Sequence, residues 1–286
     1  KKTLKAVDQK KLIKKTANIF QKKDISFFPK PTFLEMYLGK EVSIILGQQG
    51  SGKTTLYKLT AKRDIDYLKK NDNIIPICVY GNITRDNFFD KLDFNSGVND
   101  CPDNWYEVWL LKIVYSLLEN EDKTPFLKEI RDKYDKKSIT NSIMNKGVIG
   151  DIADINFNDV ANNYLLKILK EIQQSLLENN KKIWLLFDNL TKKKISDKSL
   201  IGLLKLMNRG LIEFQQSIKT KLFLNEERWE SLKYPQKSLF KGKFINLSWN
   251  KVDFLKYANK YLLNVKQIKE YMETINYKTD IEYLKE

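Results

Sequence analysis

The chain has 286 residues and not one histidine. That absence removes imidazole bases, zinc–histidine sites and Ser-His-Asp triads together. Cys78 and Cys101 are its two cysteines, too few for a disulfide framework or a four-cysteine metal site. Cys78 falls inside an apolar run and reads as a small core residue, and a reducing, cytoplasmic setting fits such usage. Arginine is scarce as well: Arg63, Arg85, Arg131, Arg209 and Arg228 are the only five among 51 basic residues. No run approaches the ~18 apolar residues that cross a bilayer, so no membrane partner is expected. The basic start, residues 1–15, lacks the apolar centre of a signal peptide. The chain opens on Lys1 instead of Met, as a fragment or a processed product would. It carries no internal repeat and no low-complexity linker.

What is abundant is lysine. The formal charge is +15 and the pI near 9.4, which points to an anionic partner such as nucleic acid. A second reading stands beside it: lysine in excess of arginine, with much Asn and Ile, is the pattern of an AT-rich genome. A hydrophobic content of 42% supports a substantial core, and the length suits one large α/β domain with appendages or two small domains.

One stretch organises the rest. Gly47-Gln48-Gln49-Gly50-Ser51-Gly52-Lys53-Thr54 follows the apolar run Val42-Ser43-Ile44-Ile45-Leu46 and precedes Thr55-Leu56-Tyr57-Lys58-Leu59. Strand, glycine-rich turn and helix, with G-x-x-x-x-G-K-[ST] in the turn, make a P-loop or Walker A motif. Backbone N–H groups must turn inward around a phosphate, which glycine permits without steric cost. The positive end of the following helix then faces the anion. Lys53 is expected to reach the β- and γ-phosphates of ATP, the Thr54 hydroxyl to hold Mg²⁺, and Thr55 to contact the α-phosphate.

Taken in order, residues 1–23 read as a basic amphipathic helix, either packed by its apolar stripe or serving as a nucleic-acid arm. Phe27 and Phe28 are candidates to stack on an adenine. Residues 74–80 form a second strand, which Pro76 assigns to a sheet edge because proline cannot donate to the ladder. A helix over 102–119 presents Trp105, Trp109, Ile113, Val114, Leu117 and Leu118 on one face, read as core. Residues 136–158 lack periodicity and read as an exposed insertion or mobile loop. Helix returns over 159–177 and Asn179-Asn180 stops it. A helix is expected over 198–217, a fourth strand over 221–224 ending at Asn225, a fifth over 243–247, and helical spacing from Asp253 onward. The division that follows is a basic N-terminal helix (1–30), a nucleotide-binding core (31–250) with a helical insertion at about 82–180, and a helical lid or the start of a C-terminal helical region (251–286).

The third strand, Lys182-Ile183-Trp184-Leu185-Leu186-Phe187, ends at Asp188. A buried strand that delivers a carboxylate to its C-terminal edge is what a Walker B strand requires, with Asp188 orienting Mg²⁺ and its waters.

Five strands separated by helices, Walker A after the first, Walker B at the end of the third and a polar residue ending the fourth resemble the additional-strand P-loop ATPases. That group contains the AAA+, STAND and KAP-like NTPases, and the resemblance spans roughly residues 31–265. It implies an α/β fold with a mostly parallel five-stranded sheet flanked by helices, helical insertions and a C-terminal helical lid. It further implies that the fourth strand separates the Walker strands and that Asn225 stands at the "sensor 1" position. Leu222-Phe223-Leu224-Asn225, Trp229 and the run Phe244-Ile245-Asn246-Leu247-Ser248-Trp249 resemble prokaryotic P-loop ATPases of mobile-element and antiphage-defence loci. Such ATPases often oligomerise and complete each site with a neighbour's arginine, for which Arg228 and Arg209 are candidates, each with an ordinary surface role as the alternative.

Two departures bear on activity. The group places a second acid beside or shortly after the Walker B Asp, whereas here Asn189, Leu190, Thr191 and three lysines follow Asp188. Asn225 also stands where Arg is more typical. Binding of Mg-ATP is therefore expected, with slow hydrolysis. Asn189 would position a water without accepting its proton, or Glu226 or Glu227 would substitute as base. The leading reading is a nucleotide-dependent switch or assembly factor in a nucleic-acid-linked or defence process, partnered by another protein or by copies of itself. A hydrolysis-deficient nucleotide-binding module is the alternative, and a small-molecule kinase comes last because cationic lid residues are few.

Overall fold

The protein is described from a computed structural model over residues 36–39, 42–81, 102–134 and 159–248. Chain contacts divide it into two units, Met36–Asn246 and a second made of Lys1–Glu35 with Leu247–Glu286. All elements given below belong to the first. The helices expected over 1–23 and beyond Asp253, the Phe27-Phe28 pair, the loop over 136–158, Cys101 and Trp249 lie outside the described residues.

Five strands form one sheet: β1 (Ile44–Gly47), β2 (Ile74–Tyr80), β3 (Lys182–Phe187), β4 (Ile218–Asn225) and β5 (Phe244–Asn246). Their order is β2-β3-β4-β1-β5 and every pairing is parallel. The sheet is thus wholly parallel. Parallel strands need helical crossovers that cover both faces, so their sequences run apolar without alternation. Ile44, Ile45 and Leu46 are buried on both sides of the pleat, as are Ile183 through Phe187. β2 lies at an edge, as Pro76 requires. Pro76 stands opposite Trp184, and its carbonyl accepts from Lys123 Nζ at 3.0 Å.

The helices are α1 (Lys53–Ala61), α2 (Asp66–Lys70), α3 (Pro102–Glu119), α4 (Lys128–Lys133), α5 (Asp159–Glu178), α6 (Asp197–Lys205) and α7 (Glu226–Ser231). α3 carries Trp105, Val108, Trp109, Leu110, Ile113, Val114 and Leu117 into the core, so its aromatic stripe is interior packing. Trp109 Nε1 donates to the Ser199 carbonyl at 2.9 Å, tying α3 to α6. At Gly202 of α6, an added Cβ would come within 2.5 Å of Trp105 Cβ and 2.8 Å of α3 backbone. That backbone approach is why no larger residue fits there. α5 ends where Asn180 takes φ 50°, a left-handed conformation that asparagine tolerates.

Three expectations are corrected. The helix expected over 198–217 ends at Lys205 and continues as a π-turn over Leu206–Gly210 and a 3₁₀ turn over Ile212–Phe214. The Leu211 N–H reaches back five residues to Leu206 O at 2.9 Å, and Gly210 breaks the regular ladder. β4 begins at Ile218, three residues earlier than expected, because the polar Lys219 and Thr220 precede the apolar run that marked the strand. After Glu119 a 3₁₀ turn at Pro125–Leu127 leads into α4. Cys78 is only half-buried on the edge strand, where burial raises its thiol above the ordinary value.

Candidate functional site

The site lies at the C-terminal ends of β1, β4 and β3, with β1 and β4 ending level and β3 ending three residues earlier along β4. β1 stops at Gly47, level with Asn225 of β4. β3 stops at Phe187, level with Leu222, and Asp188 follows. In parallel α/β sheets the C-terminal edge is where loops diverge and ligands are received.

The glycine-rich turn has the backbone its sequence implies. Gly50 has φ 83° and Gly52 has φ 97°, both left-handed, and open space surrounds the position of a Cβ on Gly50. Gln48, Gln49 and Gly50 are exposed, while Ser51 is buried. Gly52 caps α1 with no side-chain hydrogen bond to the first-turn amides, which by helix geometry have no acceptor within the helix and suit an anion. Lys53 folds back over the turn. Its Nζ donates to the carbonyls of Gly47 and Gln48, each at 2.7 Å, and to Ser51 Oγ at 3.4 Å. Burial pulls its ammonium below the ordinary value, against the opposing pull of the Asp188 and Glu226 carboxylates.

Asp188 is buried, at 3% exposure. Its N–H donates to Tyr80 O at 2.9 Å, which sets the residue at the mouth of the β2–β3 pair. Burial raises its carboxyl above the usual range, countered by the Asn189 backbone N–H, the Thr54 hydroxyl and the charges of Lys53 and Lys58. One oxygen, Oδ2, is buried without a hydrogen-bond partner. An unpaired buried carboxylate oxygen is costly and marks a place for a missing cation or water. Asn189 takes φ 63°, turning the chain sharply away from Asp188.

Asn225 acts first as a helix cap. Its Oδ1 accepts from Glu227 N at 2.8 Å and Arg228 N at 3.4 Å. Glu226 therefore opens α7 directly beyond the strand end, half-buried, while Glu227 is exposed. Thr55 is exposed on the outer side of α1.

The arginine expectation is corrected at Arg228, which is neither a surface residue nor free to reach a neighbour. It is 5% exposed and donates to the carbonyls of Leu190, Ile195 and Ser196, with Asp197 Oδ1 at 3.5 Å. It clamps α7 to the loop that follows Asp188. Arg209 is exposed.

Lys221 is a second residue that sequence reasoning passed over. It is fully buried in β4, and its Nζ donates to the carbonyls of Tyr37 at 2.5 Å, Val42 at 2.8 Å and Gly39 at 3.5 Å. The rings of Tyr37 and Trp184 lie 4.9 and 4.6 Å from it. Burial, with Lys219 adding repulsion, pushes its ammonium down to about 7. It fastens the segment that enters β1 against the sheet.

Among the described residues no cluster of three carboxylates or cysteines offers an all-protein metal cage. Thr54 and Asp188 supply one hydroxyl and one carboxylate, a donor set suited to a hard divalent cation that keeps most of its water or shares phosphate oxygens. No helix among the described residues is long and apolar enough to cross a membrane. Comparison with protein-family models, curated proteins and solved structures returned no match.

Proposed function

We propose that the protein binds Mg-ATP at this sheet edge and hydrolyses it slowly, working as a nucleotide-dependent switch. The observation that carries the reading is the convergence of three groups. Lys53 sits over a left-handed glycine turn, Thr54 stands in the first turn of the helix behind it, and Asp188, whose carboxyl is hydrogen-bonded by the Thr54 hydroxyl, keeps its Oδ2 buried and unpartnered. Gly47 to Thr54 would wrap the phosphates, and Lys53 would exchange two backbone carbonyls for phosphate oxygens, a charge-assisted replacement. Thr54 and Asp188 would hold Mg²⁺, which would supply charge neutralisation at the phosphates. Asn189, next to Asp188, and Asn225, at the end of β4, would each orient water or sense the γ-phosphate through its amide. The excess of positive charge suggests nucleic acid as a stimulating partner, with assembly of copies of the chain as the other means of coupling.

A nucleotide-binding module without turnover is favoured by one feature, the missing acid after Asp188. A turnover assay with and without DNA or RNA decides between them. The switch predicts basal hydrolysis on the order of one event per minute or less, far below usual enzyme rates, rising when the correct nucleic acid is added. Flat, near-zero turnover in a protein that binds Mg-ATP favours the module. Transfer of phosphate to a small acceptor would select the kinase reading and overturn both.

A further inference from the structure

We propose that Glu226 is the general base for the hydrolysis just put forward, supplying from the end of β4 the carboxylate that the sequence lacks beside Asp188. The inference rests on the Mg-ATP reading of the site and assigns a role within it.

Position comes first. β4 lies between β1 and β3, and Gly47 is level with Asn225. The residue after Asn225 therefore leaves the sheet beside the start of the glycine turn, from the strand that lies between β1 and the strand carrying Asp188. Glu226 and Asp188 are the two carboxylates that pull on the Lys53 ammonium, so both stand around the same lysine. Glu226 is half-buried there, while its neighbour Glu227 is exposed.

The backbone that carries Glu226 is held on both sides. Asn225 Oδ1 caps the first turn of α7, and Arg228 pins that turn to the carbonyls of Leu190, Ile195 and Ser196. Fixing α7 to the loop after Asp188 keeps the two acids in one frame, which positioning catalysis demands. The other nearby acid, Asp197, is engaged with Arg228. Asn189 cannot accept a proton at neutral pH.

The step balances simply. A water oxygen forms a bond to the γ-phosphorus while the bond from that phosphorus to the β–γ bridging oxygen breaks. The bridging oxygen keeps the electron pair and leaves with ADP. The water proton passes to the Glu226 carboxylate and from there to solvent.

The test uses the full chain with Glu226→Gln, Glu226→Asp and Glu227→Gln, following Mg-ATP affinity, turnover, and the nucleotide recovered from the protein after a single-turnover incubation. Glu226→Gln should bind Mg-ATP within about threefold of the parent, lose about a hundredfold in turnover, and yield bound nucleotide as uncleaved ATP. Glu226→Asp should retain about tenfold more turnover than Glu226→Gln, because it restores a carboxylate at the cost of reach. Glu227→Gln should match the parent in all three measurements. Parental turnover in Glu226→Gln overturns the proposal, as does a parent that binds Mg-ATP and never cleaves it. Loss of ATP affinity in parallel with turnover also overturns it, since Glu226 would then serve the lysine and not the water. A parent that fails to bind ATP removes the underlying reading itself, an outcome separate from the others.

Discussion

Asp188 keeps one carboxylate oxygen buried and unpartnered, which costs roughly 1–3 kcal/mol in a fold without ligand. Such a group persists where something else completes it, and a hydrated Mg²⁺ fits that role. Asp188→Asn should therefore leave a measurable ATP affinity without Mg²⁺ and erase the increase that Mg²⁺ adds, as read by titration with and without the metal. An equal Mg²⁺ increase in variant and parent would show that the acid serves only the fold. In the parent, the metal's contribution should fade as pH falls through the raised Asp188 titration, since proton and cation compete for the same oxygens. Asn225 shows how one residue can carry two tasks at this scale: its carbonyl oxygen is consumed by the α7 cap, so only its amide nitrogen is available to a phosphate or water.

The elements that were legible in the sequence are those whose apolar runs are unbroken. β3 and the helix α3 declare themselves by five buried residues in a row and by a wide apolar stripe. The glycine turn declares itself by spacing, and Pro76 placed β2 at an edge before any pairing was known. β4 was read short because Lys219 and Thr220 precede its apolar run, and the burial of Lys221 was missed because sequence patterning treats lysine as solvent-facing. The Arg228 clamp was hidden for the same reason, and the π-turn after α6 because apolar spacing continues across it. Lys221 also makes the strand pH-sensitive. Its folded titration, about 7, lies below the ordinary lysine value, so the fold releases this proton before the unfolded chain does. Above pH 7 the unfolded chain then binds more protons, and stability rises with pH up to the ordinary lysine range. The melting temperature of the parent should climb from pH 7 to 9 relative to Lys221→Met, whose difference from the parent should level off below about pH 6. A pH-independent offset between the two would show that Lys221 stays charged throughout, held by its three carbonyls.

Across the whole molecule, a parallel sheet gathers at one edge three groups that lie far apart in the chain: Lys53, Asp188 and Glu226 are brought together by the order β3-β4-β1. Composition speaks more ambiguously, since an excess of lysine serves nucleic acid and biased codon use equally. The central claim is that the Lys53 turn holds a nucleotide phosphate, and calorimetric titration of Mg-ATP into the parent and into Lys53→Ala tests it most directly. Lys53 belongs to the cradle, and its hydrogen bonds among the described residues go to the turn it sits over, so the variant should keep the parental circular dichroism. Its affinity should fall at least about tenfold, the ~1.4 kcal/mol of one charge-assisted contact. An unchanged affinity in the folded variant, or no binding by the parent at all, would contradict the account.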